Sequence, residues 1–156
     1  MPIKIFVGKA EHTINKDGRL SIPSKMRDII SKQYDPEDLY LFLLPGDTIC
    51  LYPGEEFAEL IESLENPAGD ALSNALDIDR VCAEAEPCKL DGSGRIVIPP
   101  KMREDAKIGQ DVLIVGVKNH IEIWDPVHWD WSRRQIRSGI ERLRKWAQSD
   151  TSPQTA

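Results

Sequence analysis

A chain of 156 residues with 40% apolar and 29% charged side chains reads as a folded globular protein and excludes a disordered one. No apolar run approaches the roughly 18–20 residues that cross a bilayer. The opening MPIKIF has no signal-peptide core, so neither a membrane span nor a secretory address is expected. The net charge of −6 would argue against nucleic acid, but it is unevenly spread. Residues 1–34 hold seven Lys/Arg against three Asp/Glu, residues 35–86 one against fourteen, and residues 87–156 twelve against nine. Such segregation can leave a positive face on an acidic protein.

The first elements follow from local chemistry. Glu11–Asn15 and Arg19–Pro23 flank Lys16-Asp17-Gly18, and Asp-Gly between short β-rich runs predicts a hairpin, because Gly tolerates the positive φ of a tight turn. Leu20 and Ile22 alternate with Arg19 and Ser21, which sends one pair inward and the other outward. Pro23 ends the strand, and Ser24 is placed to cap a short helix through Arg27–Ser31. Leu39–Leu44 and Thr48–Tyr52, joined by Pro45-Gly46-Asp47, predict a second hairpin whose continuous apolar residues ask for cover on both faces. Gly54–Leu64 sets Phe57, Leu60, Ile61 and Leu64 at helical spacing, with Glu55 and Glu56 in the favourable first turn. Asn66-Pro67 then starts a second helix through Leu72, Ala75, Leu76 and Asp79–Cys82 toward Ala85.

From residue 87 the order begins again. Asp91–Gly94 predicts a Gly-rich turn, Arg95–Ile98 a strand, and Pro99-Pro100 a helix with proline in its first turn. Val112–Val117 and His120–Trp124 predict a hairpin, and Pro126–Gln148 a helix with Trp129, Ile136, Ile140, Leu143 and Ala147 on one stripe. Residues 149–156 are polar and expected to be disordered. The recurrence is written in the residues themselves. NKDGRLSIPSKMR (15–27) and DGSGRIVIPPKMR (91–103) match at offset 76 in Gly18/Gly94, Arg19/Arg95, Ile22/Ile98, Pro23/Pro99, Lys25/Lys101, Met26/Met102 and Arg27/Arg103. A sentence this specific, written twice, means one unit built twice. The hairpins that follow match at offset 72. The four-residue slip is expected in a connection, at Ile30–Pro36, where the second copy has only Ala106–Gln110. The expected fold is α+β with mostly antiparallel pairing and helices outside. Its parts are a first repeat (1–66), a helical connector (67–86), a second repeat (87–148) and a tail (149–156).

The residues best suited to chemistry are Arg19 and Arg95. Each follows a Gly-containing turn and begins a strand, so two guanidinium forks would stand at a fixed separation on rigid supports. Arg binds phosphate or the O6/N7 edge of guanine bidentately, which Lys does less well. The alternative is that each arginine pairs with a nearby carboxylate and pins its own turn. Lys25, Lys101, Arg27 and Arg103 recur on the first turn of the short helix, where phosphate contact and a structural ion pair are both open. Met26 and Met102 between them read as core anchors. A basic stretch, Arg133, Arg134, Arg137, Arg142, Arg144 and Lys145, is a rival DNA surface, with packing or inter-subunit pairing favoured for it. Trp124, Trp129, Trp131 and Trp146 are irregularly spaced, as core or interface aromatics are. Cys50, Cys82 and Cys88 lack metal-ligand spacing and read as small hydrophobes in a reducing compartment. His12, His120 and His128 form no HExxH, and there is no G-x-S-x-G or GxxxxGK[ST], so no catalysis, metal, cofactor or small-molecule ligand is expected.

The duplicated G-R-hydrophobic-x-I-P-x-K-M-R element, with LYP at 51–53 and IWDP at 123–126 closing the two copies, resembles the MraZ family of bacterial transcriptional regulators, within the AbrB/SpoVT swapped-hairpin superfamily. The family's Asp-x-x-x-Arg element stands intact as Asp91…Arg95. In the first copy Asn15 replaces the Asp, Asp17 replaces a usual Lys, and Lys16 sits beside it. Asn can still accept the turn's backbone hydrogen bonds, whereas a carboxylate at 17 disfavours a phosphate there. The resemblance implies tandem swapped-hairpin-like units that assemble into closed homo-oligomeric rings, located in the cytoplasm at the nucleoid. It implies a repressor of the division and cell-wall gene cluster that reads short direct repeats in double-stranded promoter DNA. Arg19 and Arg95 would lie at the DNA, with Lys16, Lys25, Arg27, Lys101 and Arg103 around them. The alternative is an oligomeric protein-interaction or antitoxin-like module of the same fold, without sequence-specific DNA binding of its own.

Overall fold

Short apolar runs punctuated by Gly and Pro close here into two antiparallel sheets. The computed structural model describes residues 4–44, 47–65 and 78–131. In chain order the elements are β1 (Lys9–Thr13), β2 (Arg19–Ser21), α1 (Ser24–Gln33), β3 (Leu39–Leu44), β4 (Thr48–Pro53), α2 (Gly54–Leu64) and α3 (Ile78–Glu84). They continue with β5 (Glu86–Cys88), β6 (Arg95–Val97), α4 (Pro100–Asp105), β7 (Asp111–Val117) and β8 (His120–Trp124). The chain divides into two bodies, Met1–Asp125 and Pro126–Ala156; in the second, residues 126–131 are helical. The expected helix start at Asn66-Pro67, the basic stretch 133–145, Trp146 and the tail 149–156 lie outside the described residues.

The large sheet runs β1-β7-β8-β4-β3-β5, and β2 and β6 form a separate two-stranded ribbon. Both sheets are built by exchange between the two copies. β1 of the first copy pairs with β7 of the second, β5 of the second pairs with β3 of the first, and β4 meets β8 in the middle. The expected hairpin of 11–15 with 19–23 is therefore corrected. Its turn forms, closed by Asn15 N–H to Arg19 O (3.0 Å) and Gly18 N–H to Asn15 O (2.9 Å), but its arms part to different sheets. An isolated short hairpin is marginal in water, and exchange gives each arm a longer surface to bury. The β3–β4 and β7–β8 hairpins form as expected.

The duplication appears as a pseudo-twofold in the registers. The ribbon is centred on Leu20↔Ile96, and the β4–β8 seam on Cys50↔Glu122, partners separated by 76 and 72 residues in the sequence. Cross-ribbon bonds repeat the symmetry: Ile22 N–H to Gly94 O at 3.0 Å and Ile98 N–H to Gly18 O at 2.9 Å. The four-residue slip is not a longer connection. α1 has ten residues and α4 six, so about one added helical turn absorbs it. Nor does Ser24 cap α1: the cap position is Pro23, with no side-chain bond. Proline's fixed φ already suits a helix entry, and Ser24 is its first residue.

Two apolar layers sandwich the large sheet. On one side Leu20 and Ile96 of the ribbon, Ile22 and Ile98 just past its strands, Met26 and Ile30 of α1, Met102 of α4 and Ala106 at its end form one cluster with Leu41, Leu51, Ile114 and Ile123. On the other, Phe57 and Leu64 of α2 and Val81 of α3 cover Phe42, Cys50 and Tyr52. The methionines are core anchors, as their place in the motif implied. Every residue of β4 is buried, in keeping with its continuous apolar run.

Candidate nucleic-acid interface

The ribbon decides where the motif arginines go. Side chains alternate along a strand, and Leu20 and Ile96 are fully buried, so Arg19, Ser21, Arg95 and Val97 all stand on the opposite, outer face. In the register Arg19↔Val97 and Ser21↔Arg95, the two arginines are diagonal neighbours, with Cα atoms roughly 7–8 Å apart. They thus share one face of one composite ribbon, with a turn at each end. Ser21 and the exposed Val97 belong to the same face and were not singled out in the sequence. Pairing the two motif strands about Leu20/Ile96 would have revealed them.

Each turn is held by one side chain at its first position. Asp91 Oδ1 accepts from Ser93 N–H (2.8 Å) and Arg95 N–H (3.0 Å). Asn15 Oδ1 accepts from Asp17 N–H and Arg19 N–H, both at 2.9 Å. The Asn therefore reproduces the Asp's geometry, as its carbonyl chemistry predicts. The charge role moves elsewhere. Arg95 Nε lies 3.5 Å from Asp91, whereas Arg19 Nη1 lies 3.7 Å from Asp17, the acid found only in the first copy. Both pairings named as the alternative role thus occur, yet the arginine side chains remain 40% and 37% exposed. Exposed pairs of this kind contribute only about 0–1 kcal/mol, which leaves both guanidinium groups free to exchange partners.

Donation from the Arg95 backbone N–H leads the interactions that hold Asp91 below the usual carboxylate range; desolvation opposes it, and Ser93 N–H and the charges of Arg95 and Arg19 add to it. A depressed carboxyl contributes stability above its unfolded value, near 3.9, that is lost as pH falls through the folded value. Asn15 has no such proton to gain. The protection of the Ser93 and Arg95 amides, relative to their intrinsic exchange, is therefore expected to fall on acidification below about pH 4, while the Asp17 and Arg19 amides keep theirs. Equal loss at both turns would show that the Asp91 carboxylate does not hold its turn.

The helix cations divide into two kinds. Arg103 of the second copy lies in ordinary contact range of Gly18, where the Ile98 backbone oxygen is the nearest atom a Cβ would meet, and Arg27 of the first copy lies against the turn of the second, its side chain filling the space a Cβ on Gly94 would take. Both glycines have positive φ, 81° and 77°, so neither position tolerates a side chain. Each turn is thus a composite of both copies: Arg19 and Arg103 at one end, Arg95 and Arg27 at the other. Arg27 also borders a depression of about 310 Å³ with Ser24, Asp28 and Asp91. Among the described residues, Nε of Arg27, of Arg95 and of Arg103 is buried without a hydrogen-bond partner. Lys25 and Lys16 are exposed; Lys101 is exposed too but pairs with Asp105 at 3.5 Å.

The site is thus a two-stranded ribbon with two arginines on its outer face and an arginine of the opposite copy beside each end turn. Residues 81–143 match a family profile described as "MraZ protein, putative antitoxin-like". The chain is 36% identical over 130 residues to Transcriptional regulator MraZ of Syntrophobacter fumaroxidans, covering 80% of this chain and 82% of the relative. It is 34% identical over 139 residues to the protein of the same name in Pediococcus pentosaceus, covering 89% and 94%. A third, from Lachnoclostridium phytofermentans, shares 34% over 128 residues, covering 81% and 85%. The chain belongs to the MraZ family.

Proposed function

We propose that this chain is a DNA-binding transcriptional regulator, a repressor of the division and cell-wall gene cluster that reads short direct repeats in promoter DNA. The observation that carries the reading is the single ribbon face bearing Arg19 and Arg95, diagonal across β2 and β6. A two-stranded ribbon fits the major groove, and arginine there pairs bidentately with guanine. The relatives' name, transcriptional regulator, supports the same class, which is not an enzyme class. Arg27, Arg103, Lys16, Lys25 and Lys101 supply backbone contacts, Lys101 by leaving Asp105. The carboxylate at Asp17 disfavours a phosphate contact at that one position of the first copy's turn.

One acidic protomer offers few cations. The proposed working form is therefore a closed ring of identical subunits in the cytoplasm, whose several ribbons engage successive repeats and gain avidity. No described helix is long and apolar enough to cross a membrane. The test is binding of the purified protein to a promoter fragment carrying short direct repeats, against a fragment with the repeats scrambled, across a salt series. Repeat-dependent retention that weakens steeply with salt is expected. Absence of retention at any salt would instead favour an antitoxin-like interaction module. That second reading draws on the family description and on the acid at Asp17.

A further inference from the structure

β4 and β8 meet over only three residue pairs, Ile49↔Ile123, Cys50↔Glu122 and Leu51↔Ile121. This short seam joins the two copies at the middle of the large sheet. Alternation puts positions 50 and 52 of β4 on one face with 120, 122 and 124 of β8. The duplication has diverged sharply there. Cys50 opposes its own counterpart, Glu122, and His120 occupies the place held by Thr48 in the first copy. The Cys50 Sγ, a His120 ring nitrogen and a Glu122 carboxylate oxygen all lie within 4.8 Å of one another. Cys50 is fully buried, and the side chains of His120 and Glu122 are only 11% and 15% exposed.

The hydrogen bonds around these groups leave one proton position to be explained. Asn119 Nδ2 donates to Glu56 Oε2 at 3.1 Å, which turns Asn119 Oδ1 toward His120 Nδ1 at 2.9 Å. An amide oxygen can only accept, so Nδ1 carries the hydrogen. A neutral ring then offers Nε2 as a bare lone pair, 2.8 Å from Glu122 Oε2. Two acceptors at that distance need a proton or a cation between them. The supporting bonds are complete. Glu56 is held by Tyr34 O–H at 3.1 Å, where burial and the Glu56 charge keep the phenol up at about 12 and therefore a donor. Glu122 Oε1 accepts from Trp124 Nε1 at 2.9 Å, and the Tyr52 ring stacks on His120 at 4.4 Å and 4°. A histidine fixed through its far nitrogen to an oxygen, beside a carboxylate that is itself hydrogen-bonded, is the arrangement that orients metal ligands.

We propose that Cys50, His120 Nε2 and Glu122 form a binding site for a divalent transition-metal ion, zinc foremost, that clamps the seam between the two copies. Thiolate, imidazole and one carboxylate suit zinc, whereas calcium and magnesium take oxygen sets. Ligand bonds of about 2.0–2.3 Å require only small side-chain shifts from the present spacing. Three protein ligands leave a fourth position for water. Burial holds the metal-free thiol protonated. Metal entry therefore forms the metal–sulfur, metal–nitrogen and metal–oxygen bonds and releases to solvent the Cys50 proton and the proton lying between His120 Nε2 and Glu122; nothing is oxidised or reduced. Sequence spacing gave no sign of the site, because its ligands come from strands 70 residues apart in the chain.

Cobalt(II), titrated into metal-free full-length protein, is the probe. The expected result is a near-ultraviolet thiolate-to-cobalt charge-transfer band with four-coordinate visible bands, both bleached by zinc. The band should vanish in Cys50→Ser and persist in the Cys82→Ser/Cys88→Ser double variant. Asn119→Ala should weaken cobalt affinity about 10–100-fold. Glu122→Gln should abolish zinc's effect on the melting temperature, which guards against a Cys50 variant that fails to fold. No band in the wild type would mean that a proton alone joins His120 to Glu122, and would overturn the proposal. So would a band that survives Cys50→Ser or disappears with Cys82 and Cys88.

Discussion

Replacing Arg19 and Arg95 together with alanine is expected to abolish sequence-dependent retention on promoter DNA while leaving the fold intact. A bidentate arginine–guanine contact contributes about 1–3 kcal/mol, so the pair lost together lowers affinity by roughly 30-fold or more at fixed salt. The loss is larger where several protomers of one assembly engage the DNA, since each ribbon contributes to the avidity. Stability should change little. The two ion pairs, 3.7 Å to Asp17 and 3.5 Å to Asp91, are partly exposed, and such pairs are worth about 0–1 kcal/mol. Arg→Lys at both positions separates charge from fork geometry: it should keep the salt dependence and lose the preference for the repeats. Lys25→Ala gives the contrasting signature of a backbone contact, weaker binding to all sequences and a salt slope smaller by about one. If the double alanine variant binds as tightly and as selectively as the wild type, the ribbon face is not the DNA surface.

What the sequence disclosed and what it withheld divide along one physical line. Properties set within a few residues were legible. The Gly54–Leu64 helix followed from its apolar spacing, the β8 strand His120–Trp124 from its apolar residues and its match to Thr48–Tyr52, and the inward Leu20 and outward Arg19 from alternation. Asn15 as a stand-in for Asp followed from side-chain chemistry alone. Properties set by partners far along the chain were not. Nothing local in 9–13 says that it pairs with 111–115 rather than with 19–21. The sequence placed two arginines on two separate tips, and exchange placed them on one ribbon. The same holds for Arg27 and Arg103, whose helices belong to one copy while the turns they cover belong to the other. The four-residue slip also misled, because a helix can absorb a whole turn at its C-terminal end without disturbing the register on either side.

Truncating Leu20 to alanine is the sharpest test of that exchanged core. Leu20 is fully buried and faces Ile96 across the pseudo-twofold of the ribbon, under both arginines at once. Leu→Ala at such a site costs about 2–5 kcal/mol, from lost transfer energy and the cavity left behind. Urea unfolding should show a lower midpoint at nearly unchanged slope. Ile96→Val, which removes one methylene from the facing position, should cost about 0.5–1.5 kcal/mol. The double variant should depart from additivity, because the two side chains share one contact. The spatial signature is more telling than the magnitude. Ile22 N–H bonds to Gly94 O and Ile98 N–H to Gly18 O, so a cavity at Leu20 in the first copy loosens both bonds. Amide exchange at Ile98 should therefore rise together with exchange at Ile22. Loss confined to residues 15–23 would mean that each copy holds its own arginine, and the two guanidinium groups would no longer be locked at a single separation.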